Sequence, residues 1–299
     1  MKTLKEKTYI KGDSFMKLKK ILATLLAAVA AIATFSFASC GNKGEDVKVM
    51  KEILLTEEDY AFAIAKENTT LLNDVNGMLA KWEDDGSLDK LINSYFDGDS
   101  KFTYKNKTDT PAEGDFVMAT NAAFPPFEYK KGSAFTGVDV EIAYNIATEL
   151  GKTLFVYDME FDSIIASVKG GESDIGMAGM TVNETRLQQV NFATPYYSSA
   201  QVITVLASDT TFDACKTAAD VEAILASKGT DYVIGTQNGT TGYMYSKGDE
   251  GFGYDGFTNL TTNGYTTGAL AMKDLSNKKI NAVILDLQPS LLIAESINK

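Results

Sequence analysis

The sequence predicts an α/β protein of two lobes, each built on a mostly parallel sheet flanked by helices. Two observations carry this. Beyond Gly114, strand-like and helix-like segments alternate in the order βαβαβ, which calls for parallel strands joined by right-handed crossovers. A second block of the same kind opens after Tyr196-Tyr197, and the 260 residues from Cys40 onward are enough for two such units.

Taken in order, the chain begins with a targeting segment. Lys17, Lys19 and Lys20 precede an apolar run over residues 21–38 that ends in small residues before Cys40. A basic stretch, an apolar stretch and a small-residue junction are the pattern of an export signal, here residues 1–39. Phe37-Ala38-Ser39-Cys40-Gly41 resembles a lipobox, whose cysteine becomes the lipidated first residue; Phe37 stands where leucine is usual. Residues 40–46 then form a lipidated linker, anchoring the protein to the outer face of the cell membrane. The alternatives are an uncleaved signal anchor and, for the start site, Met16.

With residues 1–39 removed, 21 cations face 38 acids, a net charge of −17. That balance excludes nucleic acid and anionic lipid surfaces as partners, because both need basic patches. With Cys40 lipidated, Cys215 is alone and no internal disulfide can form. Histidine is absent, which excludes Ser-His-Asp and Cys-His chemistry and histidine metal sites. Neither a cofactor nor a metal is expected.

Residues 47–55 read as a strand and residues 60–65 as a second alternating segment, separated by the polar Thr56-Glu57-Glu58-Asp59. Leu71, Leu72, Val75 and Leu79 recur at helical spacing. Asp84-Asp85-Gly86 ends that helix, and Leu88, Leu91 and Ile92 begin another, with Trp82 and Tyr95 as packing aromatics. Residues 97–114 are polar and turn-rich, a linker. A strand at 116–119, a helix at 138–150, a strand at 154–157, a helix at 163–169 and a strand at 174–178 follow. The second block has strands at 201–206, 232–235 and 282–285.

Three turns at strand ends carry the polar chemistry. Arg186 is the single arginine among 28 cations. Its planar fork of donors matches a carboxylate bidentately, which lysine cannot reproduce. It lies past the strand at 174–178 and a Gly179-Met180-Thr181 turn, in a short helix with Asn183 as N-cap and Glu184 in the first turn. Ligands of α/β sheets bind beyond such strand ends, so Arg186 is expected to grip a carboxylate; a surface ion pair is the alternative. Gly239-Thr240-Thr241-Gly242 opens a helix whose N–H groups favour an anion, although it lacks the lysine of a phosphate loop. Asp286 ends an apolar strand and, if buried, calls for an ammonium partner. Its alternative role is to cap the helix near Pro289.

Four passages carry a family resemblance: residues 119–129 (Ala-Thr-Asn-Ala-Ala-Phe-Pro-Pro-Phe-Glu-Tyr), 137–141, 159–162 and 179–186. Together with Gln237-Asn238-Gly239-Thr240-Thr241-Gly242 and Val283-Ile284-Leu285-Asp286, they resemble family 3 of the extracellular solute-binding proteins, the receptors of polar amino-acid ABC importers. The resemblance implies a type II periplasmic-binding-protein-like fold: two α/β lobes joined by a two-strand hinge around one amino acid. It implies that Arg186, with the Thr181 and Thr241 N–H groups, holds the ligand carboxylate. Asp286, the Gly179 carbonyl and the Thr181 hydroxyl take the ammonium. Phe124 and Phe161 sandwich the side chain, with Asn121 and Gln237 near its tip. Partners are then an L-amino acid and an ABC permease, with the protein acting as a monomer. Because Asn121 and Gln237 are uncharged, the expected ligand is a neutral, glutamine-like amino acid; an acid at that end would have to come from Glu128 or from another residue of the cleft.

The segment order departs from the family. Residues 57–96 resemble its C-terminal end yet precede its N-terminal end, which implies a circular permutation closed by the linker at 97–114. Lobe 1 is then 57–199, and lobe 2 is 47–56 plus 200–299. Two other functions stay open: an extracytoplasmic amino-acid sensor with a separate membrane partner, and a dehydratase-like enzyme with Asp286 or Glu184 as its acid or base.

Overall fold

The protein is described here by a computed structural model covering residues 44–299, so the expected signal segment and Cys40 lie outside the described residues. In chain order the strands are β1 (Val47–Val49), β2 (Glu58–Tyr60), β3 (Ala63–Ile64), β4 (Phe116–Thr120), β5 (Ala123–Phe124), β6 (Glu128–Lys131), β7 (Ala134–Thr136) and β8 (Leu154–Asp158). Then come β9 (Ile175–Gly176), β10 (Asn191–Phe192), β11 (Tyr197–Ser199), β12 (Gln201–Leu206), β13 (Val233–Gln237), β14 (Thr261–Tyr265) and β15 (Ala282–Asp286). The helices are α1 (Thr69–Asp84), α2 (Ser87–Phe96), α3 (Val138–Glu149), α4 (Ile164–Gly170), α5 (Glu184–Leu187), α6 (Ala218–Ala226), α7 (Thr241–Lys247), α8 (Gly268–Ser276) and α9 (Leu287–Asn298). Among the described residues no helix is long and apolar enough to cross a membrane.

Local chemistry explains the helix boundaries. The Asn68 side chain accepts the Leu71 N–H at the start of α1, and Leu71, Val75 and Leu79 form its buried stripe. Gly86, at φ 74, reverses the chain between α1 and α2.

Two five-stranded sheets result, ordered β10-β3-β9-β4-β8 and β1-β12-β15-β13-β14. In each sheet the βαβ segments pair in parallel: β9–β4–β8 in the first, β15–β13–β14 in the second. The remaining pairs, β10–β3–β9 and β1–β12–β15, are antiparallel. Strands β3 and β12 enter their sheets directly from the connection between the lobes, without a crossover helix to impose a parallel direction. That connection is the antiparallel ribbon β2–β11, with Tyr60 opposite Tyr197 and Glu58 opposite Ser199.

Three segments differ from expectation. Only Val47–Val49 of the run at 47–55 is a strand: Ile53 N–H turns back to the Met50 carbonyl (3.0 Å) before Leu55 N–H rejoins the Gln201 carbonyl (2.9 Å). The run remains alongside β12 but bulges at Lys51 and Glu52. Residues 60–64 do not alternate in burial; all five are buried, because both faces are covered. The strand expected at 174–178 is reduced to β9, since Met177 N–H bonds the Ala119 carbonyl past the ladder's end. The stretch 97–115 has no regular element and runs along the edge of β8, where Asn106 exchanges two hydrogen bonds with Val156 (2.8 and 2.9 Å).

Candidate functional site

The nine residues expected at the ligand line one narrow cavity between the lobes: Asn121, Phe124, Phe161, Gly179, Thr181, Arg186, Gln237, Thr241 and Asp286. Glu128, Ala178 and Thr240 complete it. Glu184, considered above as an acid or base, is exposed and does not line it.

Arg186 is placed by its own helix start. Asn183 Oδ1 accepts the Arg186 N–H (2.9 Å), fixing α5 and turning the side chain inward to 5% exposure. The guanidinium donates through Nη1 to the Thr181 carbonyl (2.6 Å) and through Nη2 to the Gly239 carbonyl in the second lobe (2.9 Å). It lies 5.4 Å from the Phe161 ring centroid and 5.5 Å from that of Phe252, within cation–π range. Burial lowers its pKa to about 10, with Glu58 and Asp286 opposing the shift, so it stays charged at neutral pH.

Asp286 ends β15 at the N-cap position of α9, but its side chain makes no capping bond. It accepts instead from the Tyr60 hydroxyl. Burial, reinforced by Glu58, pushes its carboxyl up to about 7. Glu58 lies on β2 of the ribbon and is itself held by Thr56 Oγ1 (2.6 Å), Thr181 Oγ1 (2.6 Å) and Gln201 Nε2 (2.9 Å). The ribbon joining the lobes therefore also fixes the site's acids.

The polar turns approach closely. A Cβ on Gly179 would meet the Phe124 ring at 2.9 Å and that of Tyr60 at 3.2 Å, so this position, at φ 52, has no room for a side chain. Across the gap, Thr241 Oγ1 donates to Thr181 Oγ1 (3.1 Å) and Gln237 Nε2 to Asn121 Oδ1 (3.0 Å). The two amides expected at the ligand's tip thus face each other from opposite lobes.

Sequence reasoning assigned no site role to Tyr60, Glu58, Phe252 or Asp139, although Asp139 lies in the family passage 137–141 and Glu58 and Tyr60 in the segment 57–96. Glu128 was considered only as an alternative acid. It is fully buried, and no N–H or O–H donor reaches either of its oxygens. The buried Asp139 carboxylate is beside it, so their contact becomes a hydrogen bond only when Glu128 carries a proton. Burial first, then repulsion from Asp139 and Asp286, raises Glu128 well above the usual carboxylate range.

Two lobes on a two-strand ribbon, closed over a cavity with a buried guanidinium and buried carboxylates, define a type II periplasmic-binding-protein-like fold. The model of the bacterial extracellular solute-binding proteins, family 3, matches residues 116–290, more than half of the chain, and the chain belongs to that family. Among its relatives, the arginine-binding periplasmic protein of Mannheimia haemolytica is 30% identical over 178 residues, 59% of this chain and 65% of that protein. The arginine-binding extracellular protein ArtP of Bacillus subtilis is 39% identical over 87 residues, 29% of this chain and 34% of that protein. The chain thus spans less than two thirds of either relative. Among solved structures, an ancestral amino acid-binding protein, a precursor of cyclohexadienyl dehydratase, aligns with a TM-score of 0.53 at 26% identity, covering 61% of this chain and 74% of that one.

Proposed function

We propose that the protein captures an extracellular L-amino acid with a cationic side chain, arginine foremost, and delivers it to an ABC importer. The observation carrying this reading is that Arg186, Asp286 and Glu128 line the same cavity. Arg186 holds the α-carboxylate with the Thr181 and Thr241 N–H groups; two of its five N–H donors are occupied by carbonyls, and the rest of the fork serves the ligand. Asp286, the Gly179 carbonyl and the Thr181 hydroxyl take the ammonium, and Phe124 and Phe161 flank the side chain. Glu128 supplies the acid whose absence was the reason to expect a glutamine-like ligand, and a cation is the partner a buried carboxylate needs. The arginine-binding names of both relatives favour the same ligand class. The facing amides of Asn121 and Gln237 favour a second reading, a neutral glutamine-like side chain.

The same proposal includes lipid anchoring through Cys40, a monomeric state and a circular permutation, with lobe 1 formed by 57–199 and lobe 2 by 47–56 plus 200–299. Two facts support the permutation: β1 pairs with β12, and the family match begins only at residue 116. A binding role, rather than the dehydratase-like one, is supported by the relatives' names. A thermal-shift screen with the twenty amino acids tests the reading. Arginine should give the largest shift, and no response to any amino acid would refute it.

A further inference from the structure

Asp139 does not line the cavity, yet after burial it is the charged neighbour that acts most strongly on Glu128. Its N–H is held by the Phe127 carbonyl (2.9 Å), the residue before Glu128, and Gly137 packs so tightly there that a Cβ would fall 2.1 Å from the Phe127 oxygen. The Asp139 carboxylate accepts from the Gly179 N–H (3.0 Å) and the Tyr196 hydroxyl (2.6 Å). Burial pushes the Asp139 carboxyl up to about 7 and these two donors oppose that shift, whereas none reaches Glu128. Asp286, at the end of β15, and Asp158, at the end of β8, add negative charge near Glu128, although Lys130 pairs with Asp158 at 2.5 Å. On α3, Glu141 is held by the Tyr95 hydroxyl (2.6 Å). Arg186, in the same cavity, is engaged by carbonyls of both lobes.

Resting on the proposed amino-acid site, we infer that Asp139 is a positioning residue that sets ligand specificity by keeping a proton on Glu128. A cationic side chain is bound only as Glu128 releases that proton to solvent, whereas a neutral amide side chain is bound with the proton retained. The charges balance. A neutral carboxylic acid and a cation become a carboxylate–cation pair plus one solvated proton, while the amide carbonyl accepts directly from the protonated carboxyl. Burial and the neighbouring acids favour the protonated form of Glu128 in the same direction.

Calorimetric titration of the full-length protein with L-arginine and L-glutamine, in buffers of low and high ionisation enthalpy, counts the protons. Any proton that Asp286 yields to the α-ammonium is common to both ligands, so the difference between them isolates the Glu128–Asp139 pair. Arginine should release close to one proton more than glutamine, and its affinity should rise by up to about tenfold per pH unit relative to that of glutamine. Asp139→Asn, whose amide can donate to an ionised Glu128, should abolish the extra proton and flatten the pH profile. Arginine binding that releases no more protons than glutamine binding, with the same pH dependence, would overturn the inference while leaving the proposed ligand intact. Absence of binding by either amino acid would remove both. Should Asp139→Asn fail to fold, or should only arginine bind, Glu128→Gln decides: it should take close to one proton off arginine's own count, and an unchanged count would overturn the inference.

Discussion

Arg186 in the first lobe donates to the Gly239 carbonyl in the second, 2.9 Å away. The group proposed to hold the ligand carboxylate thus also joins the lobes, so ligand affinity and closure depend on one side chain. Charge-assisted hydrogen bonds of this kind contribute roughly 1.5 to 3 kcal/mol each. Arg186→Lys keeps the charge but loses the fork. Amino-acid binding should weaken at least about tenfold, equivalent to about 1.4 kcal/mol, in a calorimetric titration.

Glu128→Gln removes the proposed counter-charge while keeping its shape. Arginine binding should weaken at least about tenfold and glutamine binding change by less than about threefold, read by competition between the two ligands. Equal losses for both would indicate a packing role alone.

Stability should depend on pH in an unusual direction. Burial pushes the Asp139 and Asp286 carboxyls from 3.8 up to about 7 and raises Glu128 further above its ordinary range. Between those limits the folded protein holds more protons than the unfolded chain, so stability is greatest at the acid end and is lost as pH rises through about 7. The Tm without ligand should fall between about pH 5 and about pH 8, where ordinary paired carboxylates, ionised in both states, would leave it nearly flat. A scanning calorimeter reads the sign directly.

The N-terminal strand is clamped by the last helix. Asn298 accepts the Val47 N–H and donates to the Val47 carbonyl, both at 2.9 Å. Val47–Val49 should therefore resist hydrogen exchange in a protein that light scattering finds to be monomeric. Asn298→Ala should speed exchange there more than in β13. A dimer, or rapid exchange in β1 of the unaltered protein, would count against closure of the permuted chain within one molecule.

The sequence carried most helices and the parallel strands β4, β8, β9, β13 and β15 because their apolar periods are local, whereas α6, α8 and β14 were not read. It carried Arg186 as the single arginine past a strand's carboxyl end, and Asp286 as a charge ending an apolar strand. Glu58 and Tyr60 were illegible as site residues, since they approach Thr181 and Asp286 only through the ribbon, across 123 and 226 residues of chain. The bulge at Lys51 and Glu52 was equally hidden, because its cause is a backbone bond within the turn. Asp139 sits on a helix that reads as ordinary; its importance arises from what Gly179 and Tyr196 bring to it.

The claim on which the account turns is that the cavity recognises the α-carboxylate and α-ammonium of an amino acid. Titration with L-arginine beside agmatine, its decarboxylated form, tests this most directly, because the two differ only in the group assigned to Arg186. Arginine should bind, with agmatine at least about tenfold weaker, the loss of about 1.4 kcal/mol that removing a bidentate partner entails. Equal affinities for the two would contradict the account.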